Sequence, residues 1–158
     1  MNDLAKKVGR RLRASDAMLV TAESCTGGWV SEVVTSVSGS SRWFERGFVT
    51  YSDAAKRQML GVSKKTLKKH GAVSQETARE MARGALKRSR GTIAVAVTGV
   101  AGPTGGSAAK PVGTVCFAFA TPKRVLSETR HFKGDRESVR QQSVVRALEG
   151  VLELLSGG

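Results

Sequence analysis

The chain has 158 residues, enough for one domain with a substantial core, here read as spanning residues 1–158. Its 26 Lys and Arg against 13 Asp and Glu give a formal net charge of +13, which raises the question of an anionic partner. No run approaches the roughly 20 apolar residues of a membrane span, and the charged start MNDLAKKVGRRLRA lacks the apolar stretch of a secretory signal, so no membrane contact and a cytoplasmic location are expected.

Asp3 is placed to cap an opening helix through Ala14, with Leu4, Val8 and Leu12 along one stripe. Met18 to Ala22 reads as a short buried strand. Helical character resumes from Gly27 to Val37, where Trp29, Val30, Val33, Val34 and Val37 form an apolar face. SGSSRW is a loop, Gly47 to Tyr51 a second strand, and Ser52 or Asp53 caps the helix that carries Lys56. A short basic helix, Lys64 to Lys69, stops at Gly71. Ser74 caps a longer one through Ser89, with Ala78, Met81, Ala82 and Ala85 inward. Strands follow at Thr92–Thr98, Val112–Thr121 and Val125–Phe132, and Asp135 caps a last helix striped by Val144, Leu148, Val151 and Leu155. Strands mixed with helices on this scale predict a layered α/β domain, its mixed β-sheet flanked by helices and containing one antiparallel hairpin near Thr121.

Eleven Lys and Arg lie between Lys56 and Arg90, against Glu76 and Glu80 alone. They sit at helical spacings without interleaved aromatics, which describes a solvated basic face better than a stacking platform, so nucleic acid is not expected as a partner. Cys25 and Cys116 form no C-x-x-C pair, and no His, Cys, Asp and Glu residues have metal-ligand spacing, so neither a disulfide framework nor a metal is expected.

Three segments carry candidate chemistry. TGVAGPTGGSAAKPVGTV, from Thr98 to Val115, joins two apolar strands through Gly99, Gly102, Gly105, Gly106 and Gly113, and Lys110 is its only charged side chain. Such a loop lets backbone N–H groups approach a small anionic group closely. TAESCTGG, Thr21 to Gly28, follows a strand and opens a helix, where Ser24, Thr26, Gly27 and Gly28 suit an oxyanion or phosphate, or an ordinary cap. GSSRWFERGFVTYSDAAK, Gly39 to Lys56, supplies Ser41, Tyr51 and Lys56. A serine needs a base to become a nucleophile, and a lysine whose pKa is lowered can be that base, with a tyrosine relaying the proton or holding geometry. His70 and His131 have no setting that suggests a Ser-His-Asp triad.

AESCTGGWVSEVVT, GSSRWFERGFVTYSDAAK, HGAVSQETAREMA, the glycine loop and F-K-GDRESVR resemble, in order and spacing, the C-terminal domain family of the competence/damage-inducible protein CinA. The similarity covers Leu4 to Leu155 and is greatest to the family's stand-alone nicotinamide mononucleotide amidohydrolases. It implies deamidation of nicotinamide mononucleotide to nicotinate mononucleotide and ammonia in pyridine nucleotide salvage, with no cofactor and no metal, by a homodimer. It assigns Ser41 as nucleophile, Lys56 as base and Tyr51 as its assistant, with Ser24 as rival nucleophile and Thr98 as a further polar position. Thr26, Gly27, Gly28, Gly99, Gly102, Gly105, Gly106, Lys110 and Arg140 are the matching substrate-binding positions. The alternative expectation is a non-catalytic nucleotide-binding or nucleic-acid-associated module.

Overall fold

In the computed structural model, which describes residues 1–157, the elements run α1 (Asn2–Ala14), β1 (Leu19–Glu23), α2 (Trp29–Thr35), a 3-10 turn (Ser40–Arg42), β2 (Phe44–Val49), α3 (Asp53–Leu60), α4 (Lys64–His70), α5 (Gln75–Lys87), β3 (Ile93–Gly99), β4 (Thr114–Thr121), β5 (Arg124–His131) and α6 (Arg136–Ser156). The strands form one sheet in the order β2-β1-β3-β4-β5. β1 pairs parallel with β2 and β3, whereas β3–β4 and β4–β5 are antiparallel. The fold is thus the expected α/β class with a mixed sheet and a β4–β5 hairpin.

Side-chain alternation sorts the sheet into two unlike faces. Ile93, Val95 and Val97 of β3, with Val115, Phe117 and Phe119 of β4, pack against α1, α2 and α6. Ala94, Ala96, Cys116, Ala118 and Ala120 face the other way, under α5 and Leu60 of α3. The small residues let α5 lie close. At Gly84 a Cβ would run into the carbonyl oxygen of Leu60, so only glycine fits where α5 crosses the end of α3.

The caps at Ser52, Ser74 and Asp135 form as the sequence predicts, accepting from Ala55 N at 3.0 Å, Thr77 N at 3.1 Å and Ser138 N at 2.9 Å. Asp3 is not a cap. It sits within the first turn of α1, where its charge complements the helix dipole. β2 begins at Phe44, ahead of the expected Gly47, because an edge strand needs one partner only and tolerates charge. Glu45 and Arg46 pair along it at 2.8 Å. On α6 the fully packed residue near the end is Leu154, with Leu155 half-buried beside it.

Candidate active site

The C-terminal ends of β1, β2 and β3 lie together, since the three strands are mutually parallel. Ligands gather at that end of such sheets. Ser24 follows β1, is buried, and donates its backbone N–H to Val97 O of β3 at 2.9 Å. Lys56 stands one turn into α3 and is 1% exposed, turned inward beneath the strand ends. Its Nζ lies 3.0 Å from Ser24 Oγ, 3.0 Å from Thr50 O and 3.1 Å from Tyr51 O. Carbonyl oxygens only accept, so Thr50 and Tyr51 take two of the nitrogen's protons. The third tetrahedral position faces Ser24, and in the neutral amine that position is a lone pair aimed at the serine hydroxyl. Burial lowers the Lys56 pKa from its ordinary 10.5, against the opposing pull of Asp53. The neighbouring thiol of Cys25 is pushed up to about 12 by burial and stays protonated, which removes it as a competing nucleophile.

Glu23 anchors the segment that follows. Its buried carboxylate accepts from Thr26 Oγ1 at 2.7 Å, Val30 N at 2.9 Å, Ser31 N at 3.0 Å and Ser31 Oγ at 2.7 Å. α2 has no side-chain cap at Gly28; the Trp29 N–H donates to Thr26 O, and this carboxylate, reaching from β1, accepts the next two, of Val30 and Ser31. The turn between them needs φ of +58° at Gly27 and +103° at Gly28, values that side chains resist.

Beside this turn opens a cavity of about 690 Å³ lined by Thr26, Gly27, Gly28 and Trp29, by the cations Arg136 and Arg140, and by the acids Glu32 and Glu137. Arg140 donates to Cys25 O at 3.0 Å and Thr26 O at 3.1 Å, and lies 5.4 Å over the Trp29 ring. Arg136, which sequence reading passed over, donates to Gly102 O at 2.8 Å and to Tyr51 Oη at 3.3 Å. Its signal was there: it opens α6 immediately after the Asp135 cap, on the same helix face as Arg140.

The remaining sequence candidates are distributed as follows. Tyr51 is 62% exposed, meeting Lys56 through its backbone and Arg136 through its hydroxyl. Thr98 is buried and donates to Ala72 O at 2.8 Å, tying β3 to the segment before α5. Gly99 packs β3 against β4, where a Cβ would come within 2.8 Å of Val115 Cγ2. Gly105 and Gly106 lie in the exposed loop, and Lys110 donates to His70 O, closing that loop onto the end of α4. Ser41 is not brought to Lys56. It is exposed in the 3-10 turn that enters β2, whereas Lys56 follows the exit of β2. Six residues of strand separate the two ends of β2, on the order of 20 Å.

The CinA C-terminal domain profile matches residues 1–155. The chain belongs to the CinA C-terminal domain family. It is 55% identical over 147 residues to the nicotinamide-nucleotide amidohydrolase PncC of Escherichia coli K12, covering 92% of this chain and 89% of that protein. It is also 55% identical over 151 residues to the protein of the same name from Pseudomonas putida, covering 96% and 94%. Among solved structures, a CinA superfamily protein from Klebsiella pneumoniae superposes with a TM-score of 0.96 at 38% identity, covering 99% of this chain and 98% of that one. Among the described residues no helix is long and apolar enough to cross a membrane.

Proposed function

We propose that this chain hydrolyses the carboxamide of nicotinamide mononucleotide to nicotinate mononucleotide and ammonia, with Ser24 as nucleophile and Lys56 as its general base. The chain is a hydrolase of the nicotinamide-nucleotide amidase type, as its 50–55% identical relatives are named. The observation that supports the residue assignment is the 3.0 Å contact of a buried lysine nitrogen with a buried serine hydroxyl.

Neutral Lys56 takes the Ser24 proton as Oγ bonds to the carboxamide carbon. The N–H groups of Thr26 and Gly28 meet no protein acceptor among the described residues and hold the developing oxyanion. The C–N bond then breaks, and the protonated lysine hands its proton to the departing nitrogen, releasing ammonia. Water, deprotonated by the same lysine, attacks the acyl-serine; the ester bond breaks, Ser24 is reprotonated and the carboxylate leaves. A neutral lysine also suits a substrate whose pyridinium ring is cationic. Arg136 and Arg140 receive the phosphate, while Tyr51 and Gly102, both bonded to Arg136, close the cavity. The same proposal takes the working form as a cytoplasmic homodimer in nucleotide salvage, with exposed Val49 and Tyr51 at the end of edge strand β2 as contact surface.

Ammonia release from nicotinamide mononucleotide, with nicotinate mononucleotide as control, tests the activity. Ser24→Ala is expected to abolish it and Ser41→Ala to retain it. An inactive Ser41→Ala beside an active Ser24→Ala refutes the residue assignment.

A further inference from the structure

At the end of the sheet opposite Ser24 lies a second cavity of about 470 Å³, between the last turn of α5 and the β4–β5 turn. Arg83 and Lys87 line it from α5, and Lys123 and Arg124 from the turn. No acidic residue lines it, and none of the four cations has an ion-pair partner among the described residues. By contrast, Arg130 and Arg146 nearby are both held by Glu128. The floor is apolar, from Leu86 and Val125. β4 ends here beside the start of β3, with Ala120 opposite Ala94, so the length of β3 separates this cavity from the Ser24 end, on the order of 20 Å.

We infer that this cleft is a second ligand site, one that binds an oligophosphate chain. Four cations without ion-pair partners line one cleft from α5 and the β4–β5 turn, and their mutual repulsion is relieved by a compact polyanion. A single phosphate would leave most of that charge uncompensated. The α5 C-terminus opposes an anion with about half an elementary charge, which four full charges outweigh. The cavity is concave and of small-molecule size, and it has no aromatic side chain on which bases could stack. Those two features separate it from a nucleic-acid surface. All four cations are exposed, so binding is expected to weaken steeply as salt rises.

Calorimetric titration of the full chain at low ionic strength with inorganic tripolyphosphate, orthophosphate and a duplex oligonucleotide decides the matter. The expected result is one tripolyphosphate per chain, bound at least tenfold tighter than orthophosphate. The double variant Lys87→Ala/Arg124→Ala should weaken it at least tenfold while melting temperature and ammonia release stay as in the parent. The variant Lys65→Ala/Lys68→Ala, removing equal charge from α4, should change it less than threefold. Equal losses from the two variants would overturn the site in favour of diffuse charge. Duplex binding that exceeds tripolyphosphate binding and is lost with Lys87 and Arg124 would overturn it in favour of nucleic acid, and absence of tripolyphosphate binding would overturn it outright. None of these outcomes depends on whether Ser24 is the nucleophile.

Discussion

Lys56→Met separates the proposed base from the scaffold, because methionine is unbranched and of similar length. In the parent, Nζ serves Ser24 Oγ, Thr50 O and Tyr51 O. Without the amine, the Ser24 hydroxyl can turn fully to Tyr51 O, which already lies 3.4 Å away. Thr50 O is then the one stranded acceptor, a loss of about 1–3 kcal/mol. At roughly 2–4 °C per kcal/mol for a chain of this size, the melting temperature should fall by several degrees and the protein remain folded at 25 °C. Turnover should fall much further, by about 10²–10⁴-fold, the usual worth of a positioned base. That loss corresponds to roughly 3–5 kcal/mol of barrier, more than the stability change. Parallel thermal melts and ammonia-release rates at saturating substrate provide the measurement. The pH profile adds a second readout. Parent activity should rise with pH through a midpoint below the ordinary lysine value of 10.5, since only the neutral amine accepts a proton. Parent stability should also rise with pH between that depressed folded value and 10.5, because there the unfolded chain binds the extra proton, and the methionine variant should lack this slope. A folded Lys56→Met enzyme within tenfold of the parent rate would refute the reasoning.

Three further outcomes are expected. Glu23→Ala leaves the N–H groups of Val30 and Ser31 without their acceptor, so urea denaturation should show a loss of about 2–6 kcal/mol; a loss under about 1 kcal/mol would mean the carboxylate is not the cap of α2. Gly84→Ala pushes a methyl group into the backbone of Leu60 with no rotamer to escape through, and should lower stability by about 1–3 kcal/mol or more, whereas an unchanged denaturation midpoint would show that α5 can slide away. Cys25 in the native protein should resist iodoacetamide at pH 7 and react once the chain is unfolded, since burial keeps its thiol protonated; rapid native labelling at Cys25, read by peptide mass, would contradict this.

The layered fold was legible because its signals are local. The continuous apolar runs TIAVAV and VCFAFA mark two central strands, and Ser52, Ser74 and Asp135 announce their helices as cap residues, each accepting from the N–H three residues on. β2 was less clear, since Glu45 and Arg46 break an alternation that an edge strand has no need to keep. The partner of Lys56 was legible only as the rival that the family resemblance offered, Ser24, and not from spacing. Ser41 is nearer in sequence, but the parallel register that sets Glu23 opposite Val49 carries Ser24 to the exit of β2, across 32 residues of chain. The role of Glu23 has no sequence signal for a similar reason, because its four donors converge only when α2 folds back over the end of β1.

The unlike faces of the sheet make this protein fail in opposite directions under the same kind of change. Toward α1 and α6, where Val95, Val97, Val115 and Phe117 fill the layer, truncation opens voids that the surrounding helices cannot wholly close. Toward α5, where Ala94, Ala96, Ala118 and Ala120 leave only the thickness of a methyl group, truncation removes little and enlargement collides with a helix already pinned at Gly84. Drift in side-chain size is therefore filtered from below on one side of the sheet and from above on the other. Because α3 packs on the thin side through Leu60, a valine admitted under α5 would press on the helix that carries Lys56, the proposed base.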